Sequence, residues 1–318
     1  MFKKILIPVD GSEHSQEAVR VGIEFAKQLQ AQIVFTYAQA AFVTEADGQK
    51  ILAPSQKLAE QAGIVHQTHF IDGDRQDIGD AITDESSRSN CQMIIMGTHG
   101  RDGIARLLLG SIAEQVSRQA NVPVMLVRPS STQTPQFKRI LVAVDGSPLS
   151  LQALNTANQL AATLGANLEI IHVIPSVNSI YGYTDMAYAP MLDVTQIEKD
   201  LENGSQAIIK AALASLETNP IKVTHVRAES IPAKLLSVSQ AILLVISEHK
   251  SDLIIMGTHG HIGLERLLLG SVAEAVSHHA KIPILLIRAD SNKPVAPLLT
   301  NGLQDALEQG LLDAPEQR

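Results

Sequence analysis

A stretch of 18 residues that occurs twice constrains the fold of this chain more than any other feature. Ile94–Ser111 reads IIMGTHGRDGIARLLLGS, and Ile254–Ser271 reads IIMGTHGHIGLERLLLGS. In both copies a short apolar run, which is typical of a buried strand, leads into a glycine loop. The segment 111–120, which begins with the last residue of the first copy, reads as a helix with Ser111 as its N-cap and Glu114 at position N3. The repeated unit is therefore predicted to be a strand, a glycine loop and the start of a helix.

This unit has the chemistry of a phosphate site. Glycines let backbone N–H groups approach a ligand closely and can adopt a positive φ. A helix N-terminus adds N–H donors without partners and a partial positive charge. Together these features suit a phosphate. The alternative is that the glycines only close a connection between strand and helix, and the same spacing in two copies favours the binding interpretation.

The repeat extends over whole domains. Residues 92–128 and 252–288 are identical at 22 of 37 positions, and Lys4–Ser12 matches Arg139–Ser147. Two copies of this size indicate a duplicated domain. We expect domains at 1–129 and 138–289, a linker at 130–137 and a tail at 290–318 that contains a possible amphipathic helix.

Each copy alternates strands with helices in the order βαβαβαβαβ, which predicts the α/β class with a doubly wound, five-stranded parallel sheet. The strand order 3-2-1-4-5 would make the first and fourth strands neighbours at the switch point, where ligands bind. In the first copy we expect a loop at 39–50 and a short helix at 51–61. In the second we expect a strand at 221–228 and a helix at 232–248.

An aspartate follows the first strand of each copy. Asp10 and Asp145 both precede Gly-Ser, and both would lie beside the glycine loop at the switch point. There each carboxylate could face phosphates through a magnesium ion, or a ribose hydroxyl. The alternative is structural, because an aspartate before Gly-Ser commonly caps a turn.

Composition excludes several classes. The net charge of −8 argues against a general nucleic-acid binder. No signal peptide and no membrane-length apolar run is visible, so we expect a cytoplasmic protein without a membrane partner. The single cysteine, Cys91, precedes an apolar strand and is expected to be a buried structural thiol. No P-loop, dinucleotide motif or clustered Cys/His zinc motif is present, and no catalytic or metal residue is assigned; a catalytic role for His99 or His259 is disfavoured.

The glycine pattern G-x2-G-x9-G-[ST] after a strand ending in Ile-Met, with Val-Asp-Gly-Ser after the first strand, resembles the universal stress protein family over residues 2–288. The resemblance implies an adenine-nucleotide alpha-hydrolase-like fold and, for the branch with the complete motif, binding of ATP, or AMP or ADP, with Mg²⁺. It also implies that the backbone at Val173, and at Ala38 in the first copy, reads adenine. The nucleotide-binding residues implied are Asp10, Ala38, Gly97, Gly100, Gly110 and Ser111, and Asp145, Val173, Gly257, Gly260, Gly270 and Ser271.

Three functions remain open. The first is a nucleotide-binding protein with a regulatory role in the stress response, which the missing general base beside the loop favours. The second is an enzyme, limited to slow ATP hydrolysis or self-phosphorylation. The third is a structural dimerisation module with vestigial sites. The final strands, 122–127 and 283–287, are short apolar edges that we expect to meet in an intrachain pseudo-dimer. Whole chains are expected to be able to pair again as homodimers.

Overall fold

A computed structural model describes residues 1–39, 45–72, 77–100, 109–129, 135–177, 193–221, 223–259 and 269–288. The expected amphipathic helix of the tail and the motif residue Gly260 lie outside these ranges. Within them, no helix combines the length and the apolar character needed to cross a bilayer.

The first half alternates strands and helices as expected. Its elements are β1 (Lys4–Pro8), α1 (Glu13–Leu29), β2 (Gln32–Gln39), α2 (Glu45–Gln61), β3 (His66–Asp72), α3 (Ile78–Arg88), β4 (Met93–Gly97), α4 (Ser111–Gln119) and β5 (Val124–Val127). The central strands β1 and β4 are almost completely buried, because helices cover both faces of a parallel sheet.

The second half repeats this arrangement with a longer helix after its second strand. Its elements are β6 (Arg139–Ala143), α5 (Pro148–Leu164), β7 (Asn167–Ile174), α6 (Val194–Glu217), β8 (Val226–Pro232), α7 (Val238–Glu248), β9 (Leu253–Gly257), α8 (Ser271–His279) and β10 (Ile284–Ile287). The fold class is therefore confirmed, with strand order 3-2-1-4-5 in each half.

The two halves form one ten-stranded sheet in the order β3-β2-β1-β4-β5-β10-β9-β6-β7-β8. The pairs within each half are parallel, and β5 meets β10 in the antiparallel sense, with Met125 opposite Leu285. Both side chains are fully buried. The final strands thus cover each other's edges, as expected from their apolar sequences.

Two arginines cross the junction in matching positions. Arg128 follows β5 and donates from Nε to the carbonyl oxygen of Ser277 in α8, at 3.3 Å. Arg288 follows β10 and donates from Nη1 to the carbonyl oxygen of Ala120, which ends α4, at 3.4 Å. Cations are favourable at the C-terminal ends of helices, where carbonyl groups lack intrahelical partners. Each half therefore caps the last helix of the other.

The segment before β6 also joins the halves. Phe137, the last residue of the expected linker, is fully buried and has a positive φ of 51°. Its ring packs edge-on against Phe25 of α1, with ring centroids 4.9 Å apart. The end of this connection is thus part of the hydrophobic core.

The expected loop at 39–50 is wrong in its second part, because α2 begins at Glu45 and not at residue 51. An Asp-Gly pair such as Asp47-Gly48 is typical of a turn, but here Gly48 is a buried helical residue. A Cβ at Gly48 would lie 2.6 Å from Cε1 of Phe70 and 3.0 Å from Cδ1 of Tyr37. This glycine allows α2 to pack closely on β2 and β3.

The expected strand at 221–228 and helix at 232–248 are both displaced. β8 begins at Val226 and includes Pro232, and α7 begins only at Val238. Pro232 is tolerated because β8 is an edge strand, where a missing N–H breaks no ladder bond. The helix starts where Ser237 and Gln240 form a capping box, which satisfies N–H groups of the first turn.

Cys91 is buried, and burial raises the pKa of its thiol to about 11. The thiol is therefore protonated at neutral pH, and a protonated thiol is a poor nucleophile. This agrees with the structural role expected from the sequence.

We predict that Leu285→Ala lowers the free energy of unfolding by about 2–5 kcal/mol, because it leaves a cavity in the buried junction. Urea denaturation followed by circular dichroism measures the effect. Leu244→Ala, at a side chain that is 47% exposed, is the control and should change stability by less than about 0.5 kcal/mol. Equal losses in the two variants would contradict the central place of this junction.

Candidate functional site

The aspartate that follows β1 forms a tight turn into α1. Its Oδ1 atom accepts a hydrogen bond from the Ser12 N–H at 2.9 Å, and Gly11 between them has a φ of 84°. Ser12 is the N-cap of α1 and accepts from the Ser15 N–H at 3.1 Å. Asp10 therefore does cap a turn, which places its carboxylate at the carboxyl end of β1.

The second half repeats this turn. The Ser147 N–H donates to Oδ1 of Asp145 at 2.9 Å, and Gly146 has a φ of 83°. The Asp145 N–H in turn lies 3.3 Å from Oγ of Ser150. Since the same geometry arises twice, the turn is a property of the Asp-Gly-Ser sequence and not of one local environment.

The glycine loop of the first half packs directly on this turn. A Cβ at Gly97 would lie 2.7 Å from the carbonyl carbon of His14, in the first turn of α1. A Cβ at Gly100 would lie 2.9 Å from Oδ2 of Asp10. Because β1 and β4 are neighbours, the structure brings Asp10, Gly97 and Gly100 together at the switch point of the sheet.

The second half shows the same contact with a different side chain. A Cβ at Gly257 would lie 2.9 Å from Cγ of Leu149, which takes the place of His14. Asp145 lies four residues before Leu149 in the sequence, and β6 pairs with β9. The counterpart of the Gly100 contact involves Gly260, outside the described residues.

The glycines at the start of α4 and α8 let the backbone there pack closely against the threonine of the preceding loop. The Gly110 N–H donates to the Thr98 carbonyl oxygen at 2.8 Å, and the Gly270 N–H donates to that of Thr258 at 2.7 Å. A Cβ would lie 2.9 Å from that oxygen at Gly110 and 3.1 Å at Gly270. Part of the glycine pattern therefore has a structural cause.

None of the five motif glycines within the described ranges uses the positive φ that glycine can adopt. Gly110 and Gly270 have φ values of −63° and −62°, in extended backbone. The positive φ values lie instead at Gly11 and Gly146, in the turns after the aspartates. Side-chain size, and not backbone strain, limits the loop positions.

The expected N-cap is also wrong by one residue. Gly110 and Gly270 are the N-caps of α4 and α8, and Ser111 and Ser271 are the first helical residues. The glycine takes the cap because its N–H is held by the threonine carbonyl in an extended conformation. The two serines are exposed at helix N-termini, where first-turn N–H groups lack intrahelical acceptors.

Two residues expected to read adenine lie at the ends of β2 and β7. β7 pairs with β6 as far as Ile171, whose carbonyl accepts from the Val144 N–H at 2.9 Å. Val173 lies two residues further along and is buried, and Ala38 has the matching place in β2 and is half-buried. Both therefore lie at the same edge of the sheet as the aspartates, beyond the ends of β1 and β6.

His14 is a site residue that the sequence did not reveal. Its Nδ1 atom lies 3.1 Å from Oγ1 of Thr98, and its ring centroid lies 4.9 Å from that of His99. Burial, His99 and Arg128 lower the pKa of His14 below 6.5. The available signal was its position four residues after Asp10, which becomes meaningful only once Gly97 is known to contact it.

The loop histidine of the second half is also held by the threonine that precedes it. Nδ1 of His259 lies 2.9 Å from Oγ1 of Thr258. Its Nε2 atom is buried and has no hydrogen-bond partner among the residues that the structure describes. Burial and the charge of Arg288 lower the pKa of His259. The two sites therefore have similar backbone geometry but differ in the polar groups around the loop.

Comparison with known proteins agrees with this architecture. The profile of the universal stress protein family matches residues 1–128 and 136–288. A universal stress protein of Mycobacterium tuberculosis is 28% identical over 247 residues, covering 77% of this chain and 78% of the relative. One of Bacillus subtilis is 30% identical over 153 residues, covering 48% of this chain and 99% of the relative. A universal stress protein structure from Archaeoglobus fulgidus has a TM-score of 0.59 at 24% identity, covering 91% of this chain and 99% of that one.

The fold defines a tandem α/β protein in which each half carries an aspartate turn and a glycine motif at the carboxyl edge of its parallel strands. Because the profile matches two successive stretches that together cover most of the chain, the protein belongs to the universal stress protein family and carries two family domains.

We predict that His14→Leu, which copies Leu149, reduces the loss of stability on acidification. A histidine with a lowered pKa in the folded state binds protons more readily when unfolded, so its contribution is present above pH 6.5 and is lost as pH falls through the folded pKa. Urea unfolding at pH 7 and pH 5 measures the difference. His259 and His278, whose pKa values are also lowered, are present in both proteins, so the difference between the proteins reports on His14. Equal acid sensitivity in wild type and variant would contradict the prediction.

Proposed function

We propose that each half binds an adenine nucleotide, ATP with Mg²⁺, at the switch point, and that the chain is a nucleotide-binding regulatory protein of the stress response. The observation that supports this most is the contact between the Asp10 carboxylate and Gly100, beside the helix that begins at Ser111. A carboxylate, a glycine loop and a helix N-terminus are thus brought to the carboxyl edge of one sheet.

The residues present fit a phosphate. The N-terminus of α4 offers first-turn N–H groups and a partial positive charge, and Ser111 adds an exposed hydroxyl. The N-terminus of α8 offers the same groups with Ser271. In this proposal Gly97, Gly100 and Gly110 keep the loop backbone open to the phosphates. Gly257, Gly260 and Gly270 do the same in the second half.

The residues also fit a hard cation. Asp10 and Asp145 supply carboxylate oxygens at the same edge, and Mg²⁺ is commonly bound by one or two carboxylates together with phosphates. When bound, Mg²⁺ would neutralise negative charge between carboxylate and phosphate. Hydrogen bonds from Ser12 and Ser147 hold the two carboxylates in place.

A second candidate function is slow ATP hydrolysis in the first half. The observation that favours it is His14, whose lowered pKa leaves the imidazole neutral at pH 7 and able to accept a proton beside the loop. The second half has Leu149 at this position. Phosphate release by purified protein tests the idea: turnover in wild type that is lost in His14→Leu would support it.

Mass spectrometry of the purified protein should find retained adenine nucleotide. We further predict that Gly270→Val weakens ATP binding more than Gly110→Val, because the larger Val173 side chain would enclose a nucleotide in the second site better than Ala38 would in the first. If distortion of the loop alone set the loss, Gly110→Val would weaken binding more, because a Cβ at Gly110 lies closer to the threonine carbonyl oxygen than a Cβ at Gly270 does. Calorimetric titration with ATP and Mg²⁺ decides, and a larger loss in Gly110→Val would show that enclosure does not set affinity.

Asparagine substitutions test the aspartates separately from the turn. Asp10→Asn and Asp145→Asn keep an oxygen that can accept from the serine N–H but remove the charge. We expect each to weaken binding of Mg²⁺-ATP at its own site by roughly ten- to a hundredfold, since charged contacts contribute ~1.5–3 kcal/mol. The matched control is titration with ATP in EDTA, where the loss should be smaller. Unchanged binding of Mg²⁺-ATP in both variants would leave the aspartates with only their structural role.

A further inference from the structure

A cluster of metal-ligating side chains lies in the second half, away from the switch point. It consists of Glu169 in β7, Glu229 in β8 and His249, which ends α7. One ligand atom from each residue lies within 4.8 Å of the other two. Glu169 is near the amino end of β7, and His249 lies at the C-terminal end of its helix. The cluster is therefore at the edge of the sheet opposite the proposed nucleotide sites.

We propose that Glu169, Glu229 and His249 bind one first-row transition-metal dication of the Zn²⁺ type. The Nδ1 atom of His249 lies 2.8 Å from Oε1 of Glu169 and 3.7 Å from Oε1 of Glu229. Two donors on one tetrahedral ion at ~2.1 Å lie roughly 3.4 Å apart. The observed separations fall on either side of this value, so small side-chain movements bring all three atoms onto a single ion.

The hydrogen bonding of the cluster is incomplete in the way that a metal would complete it. Nδ1 of His249 and Oε1 of Glu229 are both buried, and neither has a hydrogen-bond partner among the described residues. The 2.8 Å approach to Glu169 has the distance of an ion pair but not the alignment of a hydrogen bond. A buried polar atom without a partner is costly, and coordination would satisfy both atoms at once.

The donor set indicates the class of metal. One imidazole nitrogen with two carboxylate oxygens suits Zn²⁺ and its first-row neighbours, whereas Mg²⁺ and Ca²⁺ prefer oxygen ligands throughout. Three protein ligands leave a coordination position for water. The side chains are 16–26% exposed, so the cluster is shielded yet open to solvent.

A guanidinium now neutralises the carboxylates. Arg227 donates from Nη2 to Oε2 of Glu229 at 2.8 Å, and its Nη1 lies 3.6 Å from Oε1 of Glu169. Its side chain is 60% exposed, so it can leave the cluster at little cost in packing. The guanidinium and the metal therefore compete for the same two carboxylates.

The first half serves as an internal comparison. The strand register and the repeat put Val34, His69 and Ser89 where the second half has Glu169, Glu229 and His249. There, Glu85 of α3 pairs with His69 at 2.6 Å, and no second carboxylate joins them among the described residues. The proposal therefore gives one metal ion per chain and not two.

The test is calorimetric titration of the full chain, freed of metal and nucleotide, with ZnCl₂. We expect His249→Ser, which copies Ser89, and Glu229→Gln to weaken zinc binding by at least about tenfold, since even loss of an outer-shell partner costs 10–100-fold. Arg227→Gln, which copies Gln67, should bind zinc more tightly than wild type. His279→Ala, at an exposed histidine beside His278, is the matched control and should bind as wild type does.

Thermal unfolding gives a second reading, because a metal that binds only the folded state raises the melting temperature. Saturating ZnCl₂ should raise the melting temperature of the wild type and of His279→Ala but not that of His249→Ser. Wild-type affinity in both His249→Ser and Glu229→Gln would overturn the proposal. The absence of zinc binding in Arg227→Gln would also overturn it, because this variant lacks the guanidinium that competes with the metal for the two carboxylates.

Discussion

The antiparallel pairing of β5 with β10 is the interaction on which the whole molecule depends. Each half alone is a five-stranded sheet whose last strand would expose a row of unpaired N–H and C=O groups. Pairing covers both edges with one contact and buries Met125 against Leu285. Arg128 and Arg288 then complete the helix ends on the opposite side of the junction. Edge pairing, core packing and helix capping thus all occur at the β5–β10 junction.

The geometry of the candidate nucleotide site is set by the ends of the parallel strands. A strand that ends in Asp-Gly-Ser must turn sharply into its helix, and the turn holds the carboxylate by a bond from the serine N–H. The neighbouring strand ends in a glycine, so the loop can lie directly on that turn. Structural and ligand-binding roles are therefore not alternatives at Asp10 and Asp145. The turn is the device that would present the carboxylate to a ligand.

Much of this could be predicted from the sequence, because strand order and the place of the aspartates follow from local patterns and topology. What could not be predicted depends on contacts between distant segments. The buried helical position of Gly48 is set by rings on β2 and β3, and the N-cap at Gly110 is set by the Thr98 carbonyl. The contact between His14 and Thr98 likewise appears only when the chain is folded. So does the Glu169–Glu229–His249 cluster, whose members come from three separate elements.

The tandem arrangement has a consequence for how the two halves can change. In a symmetric dimer of identical chains every substitution occurs twice, since both subunits have the same sequence. Covalent duplication keeps the antiparallel junction but removes this constraint. His14 and Leu149 already differ at matching positions, and within the described residues the Glu169 cluster has no counterpart in the first half. A mutation in such a chain can alter one half while the other half stays unchanged, so new properties need not be acquired at the expense of old ones.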